Sequence, residues 1–225
     1  MPRLARVVAP GCPHHITQRG NRRQETFFCD EDYQAYLSLM AEWCGRCDVR
    51  IWAYCLMPNH VHLIVVPATP EGMCRAVGEA HRRYTGRVNL REGWRGHLWQ
   101  GRFASFVMDE PYLVLAARYV ERNPVEAGLV ERAEDWPWSS AAAHVAGRRD
   151  AIAESQWLAD LTAGWQISWA DYLREDPEAA LADAIARHER TGRPMGDKPF
   201  VQKLESLLGR ILLPKKRGRP TKPRK

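Results

Sequence analysis

Apolar and polar positions along the chain change period several times, and each change marks an element. Pro13 to Arg19 has strand-like composition and runs into Gly20-Asn21-Arg22-Arg23, a turn signal with two adjacent cations. From Asp30, apolar residues at Tyr33, Tyr36, Leu37, Met40, Ala41 and Cys44 follow a helical period behind an acidic start, which predicts an amphipathic helix ending near Gly45. Val49 to Met57 and His60 to Val66 are apolar runs separated by Pro58-Asn59. They read as a hairpin, because Pro58 cannot donate within a central ladder. A second helical segment covers Glu71 to Val88, a Gly/Trp-rich loop covers Glu92 to Gly101, and Phe103 to Met108 reads as a fourth strand. Asp109 then caps a third helix, which Asn123-Pro124 is expected to terminate.

The order β-α-β-β-α-β followed by a helix is a split βαβ arrangement. It predicts an α+β, ferredoxin-like (RRM-like) antiparallel sheet with helices on one face. After Trp136-Pro137-Trp138 the pattern breaks into short helical pieces, and Phe200, Val201, Leu204, Leu207 and Leu208 form one face of another helix. The expected organisation is a first domain over residues 1–146, a helical C-terminal domain over 147–213 and a disordered basic tail over 214–225.

Composition changes this picture in a few places. The 225 residues are enough to bury a core, and no apolar run approaches the roughly 18–20 residues of a membrane span. With no readable secretory signal, the expected location is the cytoplasm, in association with the nucleoid. Six cysteines between Cys12 and Cys74 do not resemble a disulfide framework in a chain of this size. The formal charge of +6 belongs to the last twelve residues, which hold seven basic side chains and no acid; the rest carries 26 basic against 27 acidic groups. Nucleic-acid binding by the folded body must therefore rest on local patches.

Candidate chemistry centres on His60-Val61-His62. In a strand, alternate side chains share a face, so the two imidazoles project together and can share one cation. On the third helix, Tyr119 and Asn123 are four apart and neighbours on one face. A phenol beside a metal-bound phosphate can attack phosphorus, whereas the bland reading has Tyr119 filling the helix–sheet interface. Spacing alone leaves both readings open, and Tyr112, seven residues earlier, shares the face. Cys44-Gly45-Arg46-Cys47 falls at a helix end rather than a helix start, where a low-pKa thiol would sit, and no second CxxC completes a zinc site.

Three stretches carry a resemblance. Met57-Pro58-Asn59-His60-Val61-His62-Leu63-Ile64, Leu98-Trp99-Gln100-Gly101-Arg102-Phe103 and Arg118-Tyr119-Val120-Glu121-Arg122-Asn123-Pro124-Val125 resemble the single-tyrosine HUH transposases, closest to the REP-associated tyrosine transposases. The resemblance covers about the first 140 residues. It implies a metal-dependent single-stranded DNA endonuclease and strand transferase acting on hairpin DNA through a 5′-phosphotyrosine. Tyr119 would be the nucleophile; His60, His62 and Asn123 would hold Mg²⁺ or Mn²⁺, of which Mn²⁺ suits imidazole ligands better. The branch is compatible with a monomer, which extra C-terminal residues could enforce by occluding a dimer surface. A non-catalytic DNA-hairpin-binding regulator derived from a transposase is the alternative.

DNA-contact candidates follow from placement. Arg19, Arg22 and Arg23 flank the first turn; Arg95, Trp99, Gln100 and Arg102 precede the fourth strand and combine cations with an aromatic able to stack on an unpaired base, core packing being the other reading of Trp99. In the tail, Lys215, Lys216, Arg217 and Arg219 around Gly218-Arg219-Pro220 resemble an AT-hook, which would lie in the minor groove of A·T-rich duplex.

Overall fold

The structure is a computed structural model that describes residues 5–175 and 179–213. It contains β1 (His14–Arg19), a short 3₁₀ turn (Asn21–Arg23), α1 (Asp30–Arg46), β2 (Val49–Met57), β3 (His60–Pro67), α2 (Gly72–Glu92), β4 (Ala104–Val107) and α3 (Glu110–Glu126). After these come α4 (Ala141–Val145), α5 (Gln156–Thr162), α6 (Trp169–Arg174), α7 (Ala179–Thr191) and α8 (Lys198–Leu208). The strands form one sheet in the order β2-β3-β1-β4, antiparallel at each pairing, which is the ferredoxin-like arrangement expected from the element order. Among the described residues no helix is long and apolar enough to cross a membrane.

The two faces of the sheet have separate cores. Ile16, Val61, Leu63 and Val65 point toward α1 and α2, where they meet Tyr36, Met40, Ala80, Tyr84 and Trp99. Asp32, in the acidic first turn of α1, is buried and accepts from the Phe28 backbone N–H (3.0 Å) and from Arg91 (2.5 and 3.0 Å), tying the start of α1 to the end of α2. Alternate residues face the other way: Ala53, Cys55, Met57, Ile64 and Phe106 pack against Leu113, Ala116, Ala117 and Val120 of α3. Helices thus cover this face too. Trp157, Leu158, Trp169, Leu173, Leu181, Ile185 and Met195 belong to the same buried cluster, so residues beyond 147 complete the core on the second face of the sheet.

Helix α3 starts at the Asp109 cap, whose side chain accepts from the Tyr112 N–H, and continues two residues past Pro124, where the sequence predicts a stop. Proline in the last turn removes a single donor, the one that would bond to the Val120 carbonyl. The Asn123 side-chain amide lies 3.5 Å from that oxygen and donates to the Tyr119 carbonyl at 2.7 Å, which supports the end of the helix locally.

The rotation of α3 is fixed by Glu121, which is fully buried. Its carboxylate accepts from Ser140 (2.6 Å), from His144 Nδ1 in α4 (2.5 Å) and from the Trp169 indole in α6 (2.8 Å). Burial opposes a charge on His144, but the adjacent carboxylate outweighs it and leaves the imidazole pKa above its ordinary value. Arg122 reaches the Leu173 and Glu175 carbonyls and pairs with Glu126. Replacing Glu121 by Ala strands three donors in the core and is expected to destabilise the fold by about 3–5 kcal/mol, read as a lowered midpoint in urea unfolding.

Candidate active site

Strand pairing decides which side chains meet. His15 lies opposite Ile64, Thr17 opposite His62 and Arg19 opposite His60, so His15, Thr17, Arg19, His60 and His62 all project from the face that α3 covers. The His-x-His pair shares a face, as strand alternation requires, with ring centroids 5.0 Å apart. His62 is buried; its ring stacks on His15 at 5.2 Å, with His15 Nε2 and His62 Nδ1 3.0 Å apart. His60 sits at the start of β3, half-buried, with Nδ1 2.6 Å from the Asn59 side-chain oxygen.

Tyr119 arrives from α3. Its ring stands edge-on to His62 at 5.6 Å and to His15 at 6.3 Å. Tyr112 lies two turns, roughly 10 Å, earlier on the helix and packs against the apolar cluster. Asn123 is next to Tyr119 on the helix, as the four-residue spacing predicts, and its side chain is near enough to His60 to favour the protonated imidazole slightly against burial. Four of the expected site residues, His60, His62, Tyr119 and Asn123, are thereby gathered at one place.

Electrostatics at this place follow from burial. Desolvation lowers His60 to about 4 and His15 to about 3, and pushes His62 well below its usual value, with the neighbouring imidazoles and Arg19 adding to the effect on His62. All three rings are neutral at pH 7, the form in which imidazole binds a metal. Burial also raises the Tyr119 phenol to about 12; Glu189 contributes to the rise, and Arg19 opposes it.

Two residues of the site carried no signal in the sequence. His15 is in a strand of ordinary appearance, beside a second histidine, His14, that points to the opposite face. Glu189 comes from α7, and its carboxylate accepts a 2.5 Å hydrogen bond from the Thr17 hydroxyl. His15, His62 and Glu189 bring three donor atoms within 4.8 Å of one another. Only the chain's return across the sheet places Glu189 there, so no local pattern could have announced it.

The expected DNA-contact residues divide. The loop before β4 is bonded to the end of β1: Gln100 N–H donates to the Arg19 carbonyl (2.8 Å), Asn21 N–H to the Leu98 carbonyl (2.7 Å) and Gln18 to the Gly101 carbonyl (3.1 Å). Arg22 and Arg23 on the turn are exposed, as are Arg95, Gln100 and Arg102 on the adjoining loop. Gly20 is required at this junction, since a Cβ there would sit 2.2 Å from the Gln24 carbonyl oxygen. Trp99 corrects the stacking expectation. It is buried, stacked on His81 at 4.8 Å and packed near Phe27 and Tyr84, because its ring fills the core between sheet and α2. Exposed aromatic surface is found instead at Phe28 and Trp94, an edge-to-face pair at 5.8 Å. Lys215, Lys216, Arg217 and Arg219 lie outside the described residues.

A Haemophilus influenzae protein assigned as a REP-associated tyrosine transposase is 25% identical over 116 residues, which are 47% of this chain and 66% of that protein. A solved structure described as a REP-associated tyrosine transposase bound to a REP hairpin superposes with a TM-score of 0.57 at 23% identity, over 67% of this chain and 89% of that one. The likeness to that structure is one of fold. Residues 9–123, just over half of the chain, match the family described as "Transposase IS200 like", and the match contains β1, the His-x-His strand and α3 as far as Asn123. The chain belongs to the IS200-like transposase family.

Proposed function

We propose that the protein is a metal-dependent single-stranded DNA endonuclease and strand transferase that acts on hairpin-containing DNA with Tyr119 as nucleophile. The observation that carries this reading is the approach of the Tyr119 ring to within 5.6 Å of the buried His62 ring, on the face that also holds His60. A tyrosine serving only to fill the helix–sheet interface would not need two imidazoles and an asparagine side chain beside it.

In the reaction, the Tyr119 oxygen attacks the scissile phosphorus and gives up its proton to water, the bond from phosphorus to the 3′-oxygen breaks, and that oxygen is protonated to a 3′-hydroxyl. The product is a 5′-phosphotyrosine, which keeps the energy of the phosphodiester available for attack by another 3′-hydroxyl, so no nucleotide cofactor is consumed. The residues present fit a divalent ion: His60 and His62 are neutral imidazoles, Asn123 can offer its side-chain oxygen, and His15 Nδ1 is buried without a hydrogen-bond partner. Such an ion, Mn²⁺ or Mg²⁺, would polarise the phosphoryl oxygen and favour the phenolate. Asn123 has a positioning role besides, since its side-chain amide donates to the Tyr119 carbonyl and braces the helix turn that carries the phenol. Arg19, opposite His60 in the strand pairing and a cation whose charge favours the Tyr119 phenolate, would meet a phosphate bound there.

The partner is inferred to be a single-stranded DNA hairpin of palindromic-repeat type. The related structure is described with a REP hairpin bound, and the exposed Arg22, Arg23, Arg95 and Arg102 form a basic border beside the site. Phe28 and Trp94 offer the exposed rings that Trp99 does not. The tail around Arg217 and Arg219 would add contacts to A·T-rich duplex, and the protein would work as a monomer in the cytoplasm, at the nucleoid.

Incubation of the full chain with a labelled hairpin and Mn²⁺ should give a covalent band on a denaturing gel. Tyr119→Phe should abolish that band while leaving hairpin affinity within about twofold; an unchanged band in this variant would move the nucleophile elsewhere, and binding without any band in the wild type would make the chain a regulator. For the basic border, Arg22→Ala with Arg23→Ala should weaken hairpin binding and lower the slope of log affinity against log salt by about 0.7–0.9 for each phosphate that is no longer neutralised. Fluorescence anisotropy at several salt concentrations measures it.

A further inference from the structure

We infer that the cavity between α2 and the loop before β4, on the face of the sheet opposite Tyr119, is a subsite for one unpaired nucleotide. The inference rests on the proposed DNA reading for where that nucleotide comes from, but not for the chemistry that the cavity accepts.

The cavity has a volume of about 410 Å³, inside the range of small-ligand sites. One stripe of α2 forms its first wall: Cys74, Gly78, His81 and Thr85 recur at three to four residues and so share a side of the helix. Gly78 makes the room. It is exposed in the middle of the helix, and a Cβ there would meet nothing within 4 Å. Glycine in a helix interior is destabilising relative to alanine, and here no close approach of another backbone requires it.

The deeper lining is polar, with incomplete hydrogen bonding. Trp99 is buried, and its indole N–H has no hydrogen-bond partner, an uncommon state for a buried polar atom. Gln18 is buried as well; its side-chain amide donates to the Gly101 carbonyl at 3.1 Å, which leaves its oxygen as an acceptor. Nearer the solvent are two guanidinium groups with no carboxylate partner among the described residues. Arg6 lies over the Phe103 ring at 3.7 Å and donates to the Phe103 carbonyl at 2.8 Å, and Arg102 is exposed. Arg82 differs, since Glu79 holds it at 2.7 Å. No acidic side chain lines the cavity. Outer cations with an inner donor and acceptor fit a phosphate joined to a heterocyclic base. An apolar ligand would strand those groups, and a metal ion would find no carboxylate.

Strand β1 connects this cavity to the candidate active site. Gln18 pairs with Val61 and Arg19 with His60, so two neighbouring residues of one strand face opposite sides of the sheet, Arg19 with His60 and Gln18 toward α2. The Gln100 N–H donates to the Arg19 carbonyl at 2.8 Å and ties the loop that carries Trp99 to the same place. A single strand passing the end of β1 therefore meets Arg19 on one side and the cavity on the other, and Arg102 belongs both to the basic border and to the cavity.

The flank of a DNA hairpin and a free nucleotide share this chemistry, and the test has an arm for each. Two labelled hairpins, one with single-stranded flanks at both ends of the stem and one blunt, are compared by fluorescence anisotropy with the full chain and its Gly78→Phe and Gly78→Ala variants. Phe fills the cavity, whereas Ala adds one methyl group to open space; circular dichroism of each variant confirms the fold. The wild type and Gly78→Ala are expected to bind the flanked hairpin at least about fivefold more tightly than the blunt one. Gly78→Phe should lose that preference and bind the blunt hairpin within about twofold of wild type. Abasic flanks, which keep the phosphates, should remove most of the preference. In the second arm, deoxynucleoside monophosphates are titrated by calorimetry without DNA. Binding that Gly78→Phe abolishes, with equal affinity for the two hairpins, assigns the same cavity to a free nucleotide. Three outcomes overturn the subsite: a wild type with neither flank preference nor mononucleotide binding, a preference undiminished by abasic flanks, or a Gly78→Phe variant that behaves as wild type in both arms. If the preference disappears in Gly78→Phe and no covalent adduct forms in any condition, the subsite stands and the nuclease reading falls, so the two failures are told apart.

Discussion

The buried carboxylate of Glu121 is the constraint on which the site depends. A helix lying across a sheet on small residues such as Ala116 and Ala117 can slide and rotate at modest cost, since alanine contacts are nearly alike in neighbouring registers. Three donors converging on one buried acid remove that freedom, because any rotation leaves all of them unpaired in a low-dielectric interior. Glu121 and Tyr119 are two residues apart and therefore on nearly opposite sides of α3. Fixing one side toward α4 and α6 aims the other at His62. The stretch Arg118 to Asn123 thus holds two kinds of residue: Arg118, Glu121 and Arg122 bind the helix to the segments after residue 140, and Tyr119 and Asn123 face the strand.

What the sequence disclosed follows from which features are local. Strand alternation placed His60 and His62 together, and helical spacing placed Tyr119 beside Asn123; both are consequences of backbone geometry over a few residues, and both hold in the structure. Trp99 was undecidable because an aromatic beside cations looks the same whether its ring faces a base or the core. The ring is buried because the space between α2 and the sheet has to be filled. Pro124 looked like a terminator, and the helix outlasts it because the cost of one missing donor is small where the next residues need none. His15 and Glu189 were invisible for a different reason: His15 depends on which strand pairs with β3, and Glu189 depends on a crossing made about 170 residues later.

That crossing also bears on how the chain is organised. The face of the sheet carrying His15, Thr17 and His62 is covered by α3 and, over β4, by the chain beyond residue 147, where Phe106 meets His188 at 5.6 Å and Met108 pairs with Met195. The segment that buries them is the one that delivers Glu189. Covering the apolar face and completing the polar site are therefore one structural act, performed by side chains on successive turns of α7: Ile185 packs into the core and Glu189, one turn later on the same face, reaches Thr17.

The polarity of the site has the same origin. Burial by α3 and α7 strips water from three imidazoles and depresses their basicity, which keeps them uncharged at neutral pH. It also raises the Tyr119 phenol, so the covering that keeps the histidines neutral also holds this hydroxyl protonated. Nearby positive charge opposes the rise in the phenol. Arg19 supplies part of it, and its influence already runs the right way on Tyr119 and on Glu189.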